Sequence, residues 1–194
     1  MIRFSAAGIL AWRRAKDASL ARDAASPLLE EQRARFSGLS YFLPDPSVVY
    51  VVTLEGFAER QEMQLTTSSG DLEPYIRAGA VELSLPGGPV RLTIFESIRD
   101  GTLFLPFGDA TNGRETYGAG RYLEPERLPD GSILIDFNRA YNPFCAYNDR
   151  WRCPMPPAEN RLRLPIRAGE RAFPDKAARR SSDPPEGQVE GDGT

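Results

Sequence analysis

The residues that could do chemistry are gathered between Gly108 and Asn160. That stretch holds both cysteines, one of two tryptophans and four of seven tyrosines. Within it, Asp136 and Asn138 share one face of an alternating segment, Ser132 to Asn138, whose other face carries Ile133, Ile135 and Phe137. Arg121, on the preceding segment, is placed to approach them if the register is right, since a slip of one residue would turn it away. The functional reading is a polar floor of Arg121, Asp136 and Asn138 beneath a pocket, with Tyr117, Tyr141 and Asn142 as further lining. The alternative is a buried salt bridge that ties the hairpin to the following loop, because structural ion pairs imitate sites. A guanidinium grips a carboxylate or phosphate with two parallel hydrogen bonds, so the expected ligand is a small polar or anionic molecule. An enzymatic alternative uses Asp136 or Glu115 as general acid or base with Arg121 as the stabilising charge. A third reading is a structural or partner-binding protein with no small-molecule site.

Cys145 and Cys153 are eight positions apart, flanked by Pro143 and Pro154. The chain contains no histidine. Ser-His-Asp and Cys-His catalysis, histidine metal ligands and a histidine pH switch are thereby removed together. Two thiolates completed by carboxylates such as Asp149 or Glu159 make a poor structural zinc site, so neither metal nor cofactor is expected. A disulfide stays open on spacing. The reading adopted is two small apolar thiols packing a proline-stiffened loop, in which Glu159 and Asn160 bond back to loop amides. Asn112-Gly113 is a type I′ turn signal, and Gly118 with Gly120 suggests a close approach or a bulge. A loop as long as Arg139 to Asn160 is usually functional or tightly self-packed.

The elements that must position these residues follow from periodicity. Ser5 to Ala24 reads as a helix with Ile9, Trp12 and Leu20 on one face and Lys16 snorkelling from it. Ser26-Pro27 reads as the cap and first position of a second, short helix stopped by Gly38. Val48 to Leu54 is apolar on both faces, as a central strand would be. Alternation then continues through residues 60–66, 81–85, 90–98 and 102–107, with turns at Pro86 to Pro89 and Arg99 to Gly101. Gly120 to Glu124 and Ser132 to Asn138 read as a hairpin through Pro129-Asp130-Gly131. Leu162, Leu164 and Ile166 read as a last edge strand, its outer face guarded by Arg161, Arg163, Pro165 and Arg167.

The sum is a mainly β protein: an antiparallel meander closing into a barrel or strongly curved sheet, with two N-terminal helices. The expected division is a helical segment at 1–38 packed on the sheet, a β domain at 39–173 and a disordered tail at 174–194. The 194 residues suffice for one core. A net charge of -3 offers no footprint for nucleic acid. The apolar run Ala6 to Trp12 is too short to span a bilayer, so no membrane partner and a cytoplasmic setting with reduced thiols are expected.

Several pieces, in order and spacing, resemble a known family. They are GRYL at Gly120, DFNRAYNP at Asp136, CAYN at Cys145, then CP, PP and EN ending at Asn160, and AGE at Ala168. WRR at Trp12 and the F-GL-YF stretch at Phe36 look similar too. The family is an uncharacterised prokaryotic one, domain of unknown function 1684, and the resemblance spans Trp12 to Phe173. It implies a mostly β domain behind an N-terminal helix, with no established activity or cofactor. The motif positions matched are Arg121, Asp136, Asn138, Tyr141, Asn142, Cys145, Cys153, Glu159 and Asn160.

Overall fold

A computed structural model describes residues 4–174. Apart from Pro174, the tail expected at 174–194 lies outside the described residues. Helix α1 (Ala6–Arg22) starts where Ser5 caps it, the hydroxyl accepting from Gly8 N at 3.0 Å. Helix α2 (Glu30–Arg35) starts later than Ser26-Pro27 would place it. The Ser26 hydroxyl instead donates to Leu20 O and accepts from Leu28 N, which ties the link between the helices. The Gln32 side chain then closes the first turn of α2 by accepting from Leu29 N at 2.8 Å.

Eight strands follow: β1 (Val49–Val52), β2 (Glu55–Thr66), β3 (Leu72–Leu85), β4 (Gly88–Ser97), β5 (Leu103–Phe107), β6 (Arg121–Leu123), β7 (Glu126–Arg127) and β8 (Ile133–Asp136). They form two antiparallel sheets, β2-β3-β4-β5-β6 and β1-β8-β7, and no barrel closes among the described residues. The expected closure fails for local reasons. The pairing of β2 with β3 slips between Gly56 and Gln61, and β6 is a three-residue strand that stops two residues before Pro125. Val49–Val52 is an edge strand rather than a central one: it pairs with β8 alone, and Val51 is 49% exposed. The expected hairpin of Gly120 to Glu124 with Ser132 to Asn138 is also corrected. Arg121 pairs with Phe107 in the larger sheet, while β8 pairs with β7 and β1 in the smaller. The last expected strand, Leu162 to Ile166, is an irregular segment bent at Arg163 and Leu164 and bonded to Gly108 and Ala110.

Around β5 and β6 and the second half of β4 the larger sheet is covered on both faces, whereas β2 lies largely in solvent, and the period-two alternation decides which side chain goes where. Ile94, Leu103, Leu105 and Phe107 face the smaller sheet and form the main core with Ile133, Ile135 and Phe137. Phe95, Phe104 and Tyr122 point the other way and are covered by the loop of residues 139–160 through Cys145, Cys153, Tyr141 and Trp151. The helices meet both loops and the edge of the sheets, where Trp12 lies beside Leu123 and Ile135. Leu20 and Leu28 meet Tyr147 and Phe173, and the Arg13 guanidinium donates to Phe42 O and Asn138 O.

Asn160 repairs a gap in the ladder. β4 and β5 pair at Phe95 with Phe104, so Thr93 would next face Pro106, which has no N–H to give. The Asn160 side chain, 0% exposed, fills that rung. Its Nδ2 donates to Thr93 O (2.8 Å) and Pro106 O (2.9 Å), and its Oδ1 accepts from Thr93 N (2.8 Å). Asn160→Ala leaves three buried backbone groups without that partner and is expected to cost about 2–4 kcal/mol in urea unfolding. A loss under about 0.5 kcal/mol would mean that the rung is replaced by water.

Candidate functional site

Arg121 sits at the centre of the polar interior, 0% exposed. Its Nη2 donates to Asp109 Oδ2 (2.8 Å) and Ile166 O (2.7 Å), and its Nη1 donates to Ala168 O and Glu170 O. The guanidinium lies over the Phe107 ring, 5.3 Å from its centroid. Burial pulls its pKa down and the Asp109 carboxylate beside it opposes that pull. Asp109 is held in turn by Thr111 and by Ile166 N. The partner of Arg121 is thus Asp109, and the polar floor expected from Arg121, Asp136 and Asn138 does not assemble. The guanidinium is enclosed by protein atoms in this arrangement.

Asp136 and Asn138 do meet each other, as a clamp. Asp136 Oδ1 accepts from Asn138 N (2.9 Å) and Nδ2 (2.8 Å), capping a 3-10 turn at Phe137–Arg139. The Asn138 amide, 0% exposed, also exchanges two hydrogen bonds with the Asp45 backbone. Asn142 is fixed by Glu170, whose Oε2 accepts from Asn142 N (2.8 Å) and from the Tyr147 hydroxyl (2.8 Å), while Lys16 pairs with Oε1. Glu115, the other carboxylate of the enzymatic alternative, is paired with Arg167 at the protein surface, whereas Asp136 lies beside Arg139. Glu159 pairs with Arg77 rather than with a loop amide. Among the described residues no three Cys, Asp or Glu side chains are placed to hold a metal ion.

The loop of residues 139–160 is fastened along its length. Tyr141 and Tyr122 exchange backbone hydrogen bonds at 2.9 and 3.0 Å, and Met155 N donates to Thr66 O at 2.7 Å. Asn160 anchors the far end. Cys145 and Cys153 are buried and not joined by a disulfide, Cys153 Sγ accepting from Cys145 N at 3.3 Å. The Tyr117 hydroxyl reaches Cys145 O at 3.5 Å. Asn112-Gly113 is not a type I′ hairpin, since of the two only Gly113 has a positive φ.

Two hollows flank the start of this loop. The smaller, about 120 Å³, lies at the seam of the two sheets under Trp12, with Asp136, Arg139, Tyr141, Glu124 and Glu126 on its walls. The larger is a cleft of about 550 Å³ between the larger sheet and the loop. The sheet contributes Tyr75, Phe104 and Tyr122, the loop Tyr141, Phe144 and Pro154, and the rim Ser97, Arg99, Asp100, Thr102 and Glu124. Tyr141 donates to Glu124 Oε1 at 2.7 Å, and this pair is the partition shared by both hollows. Of the residues singled out in the sequence, Asp136 and Tyr141 line a hollow, whereas Arg121, Asn138 and Asn142 are interior braces. Tyr75, Phe104 and Phe144 were missed. The available signal was Phe104, an aromatic out of phase with Leu103, Leu105 and Phe107, which requires cover on the second face.

Six tyrosines have their phenol pKa raised: Tyr41, Tyr50, Tyr75, Tyr122, Tyr141 and Tyr147, each chiefly by burial away from water. Tyr75 is pushed up to about 12. A raised phenol pKa means that the fold favours the protonated form, whereas an unfolded tyrosine loses its proton near pH ~10. The stabilisation is therefore complete below that pH and is lost as pH climbs through 10 towards 12. Tyrosinate absorbance at 295 nm should rise together with loss of the circular dichroism signal. Independent ionisation near pH ~10 in a folded protein would contradict this. Replacing Arg121 with Met strands the buried Asp109 carboxylate and should cost about 3–5 kcal/mol in urea unfolding, far more than Arg99→Met at the cleft rim.

A comparison with curated proteins finds no match. The chain is similar to an uncharacterized protein of Haloarcula marismortui, whose solution NMR structure superposes with a TM-score of 0.66 at 40% identity, over 84% of this chain and 92% of that one. The profile of the family described as "Protein of unknown function (DUF1684)" matches residues 34–171. That span takes in both sheets, the Arg121–Asp109 pair and the whole loop, and the chain belongs to the DUF1684 family.

Proposed function

We propose that this protein binds a small organic molecule in the aromatic cleft beneath the loop of residues 139–160. One observation carries the reading: the cleft is about 550 Å³, within the roughly 300–1,000 Å³ usual for ligand sites, and its walls are fixed by bonds that need no ligand. Tyr75 stacks on Phe104 with centroids 5.1 Å apart, and Phe104 stands edge-on to Tyr122 at 4.8 Å. The Tyr122 hydroxyl donates to Pro154 O, which holds the loop wall to the sheet floor. Clefts of this kind pair apolar walls with a few oriented polar groups at the rim. Phe144, 41% exposed, is the apolar residue of the loop wall most open to solvent. An anion gripped by Arg121 has no place in this reading, because that side chain is enclosed by the 166–170 backbone.

Fragment titrations followed by NMR test the proposal. Aromatic and aliphatic fragments that bind should move the ring resonances of Tyr75, Phe104, Tyr122, Tyr141 and Phe144. Phe144→Ala, which removes contact area at an exposed position, should weaken binding by about three- to tenfold without lowering stability by more than about 1 kcal/mol. A diverse fragment set that leaves all five rings unmoved would sink the reading.

A further inference from the structure

We propose that Cys145 and Cys153 are a redox modification site: a small disulfide oxidant joins them, and the bond staples the loop wall beside the cleft. The inference stands whether or not the cleft binds a ligand. The chain holds two cysteines, and the fold brings them together. Cys153 Sγ lies 3.3 Å from Cys145 N, within one rotation of the Cys145 side chain from its sulfur. The two thiols also share a side-chain hydrogen bond. Packing alone would be met by thiols turned to different neighbours.

The two backbones are positioned from different directions. Cys145 stands in the 3-10 turn Phe144–Ala146, which Pro143 opens. Cys153 is tied to the turn between β2 and β3, its O accepting from Ser68 N at 2.9 Å and its N donating to Ser68 Oγ at 3.3 Å. Sulfurs that face each other from two anchored backbones need only a short approach to reach the ~2.05 Å of a disulfide.

The reaction is thiol–disulfide exchange. One cysteine thiolate attacks a small disulfide such as oxidised glutathione, breaks its S–S bond and releases one glutathione thiolate. The other cysteine thiolate then attacks the protein sulfur of the mixed disulfide and releases the second glutathione. Two protein thiols are oxidised, one glutathione disulfide is reduced, and the two cysteine protons end on the two glutathiones. The Cys145 thiol first, and burial second, push the Cys153 pKa up. Scarce thiolate makes the exchange slow in the folded protein, while a reduced form without a stabilised thiolate leaves the disulfide favoured once formed.

The bond would close an arch of residues 146–152 whose feet are part of the cleft. Phe144 and Pro154, both on the loop wall, are the immediate neighbours of the two cysteines. Within the arch Trp151 meets the Phe144 ring with centroids 5.0 Å apart. Oxidation therefore fixes the spacing of the two wall residues and shifts this ring pair.

The test is mass spectrometry of the full chain equilibrated with oxidised and reduced glutathione, both as the folded protein and after refolding from urea in the same buffer. Refolding gives the thiols the access to oxidant that burial denies. At about 1 mM of each glutathione, disulfide should exceed dithiol by about tenfold, since neighbouring thiols meet at an effective concentration of at least about 10 mM. The oxidised chain should lack two hydrogens, and peptide mapping should join Cys145 to Cys153. The Phe144 ring and Trp151 indole NMR resonances should move on oxidation, and should stay in place in Cys153→Ala treated alike. Cys145→Ala serves as the control if Cys153→Ala does not fold. A chain that stays reduced after refolding, carries glutathione on both cysteines or links to a second chain would overturn the pair. A Cys145–Cys153 bond that leaves Phe144 and Trp151 unmoved would overturn its hold on the wall.

Discussion

The structure turns on a sheet that buries both faces where β4, β5 and β6 meet. A five-stranded antiparallel sheet in a protein of this size ordinarily hides one face and wets the other. Here Phe95, Phe104 and Tyr122 project from the second face, and leaving them in water would forfeit about 1.5–3 kcal/mol for each such side chain. The smaller sheet is already committed to the first face through Ile133, Ile135 and Phe137. The cover for the second face must therefore come from irregular chain, and the loop of residues 139–160 supplies it. That requirement accounts for its length, its prolines, and its small buried cysteines, which fit close against aromatic rings.

Irregular backbone inside a protein carries polar groups that need partners, and asparagine side chains provide many of them. Asn160 stands in for a ladder rung where Pro106 has no N–H. Asn138 does similar work for the Asp45 backbone, and the Asn142 side chain ties to Arg171 O. Arg121 gathers three carbonyls from the 166–170 segment, with Asp109 balancing its charge. These residues form one braced interior on which the loop and the N-terminal helix are hung. Their chemistry resembles that of an active site because the needs are the same: charged groups, out of water, held in fixed directions.

What remains open to solvent is the cleft at the loop's leading edge. Its aromatic walls are the continuation of the covered face, at the place where cover gives out. Tyr141 is pivotal there. Its backbone joins the loop to β6, its ring carries Lys16 on one side, and its hydroxyl meets Glu124 between the two hollows.

Much of this was legible in the sequence, because it depends on local rules. The alternation of Val81, Leu83 and Leu85 and the punctuation at Gly87 and Gly101 follow from the two-residue strand period and from backbone angles that favour glycine. The first helix and the importance of the 139–160 loop were likewise readable, and so was the family. Pairing was not. Whether Arg121 would face Asp136 or Asp109 depended on which sheet β6 joined, and a strand carries no local mark of its partner. Arg121 pairs with Phe107, so its side chain turns into the interior beside Asp109, and Asp136 is left to cap its own turn. Val49–Val52 looked central because it is apolar on both faces, yet its position at an edge was set by the break between β1 and β2. The sequence by itself determined which residues must be buried and where the chain must bend. The tertiary structure decided which buried groups would meet, because that choice rests on contacts between segments far apart in the chain.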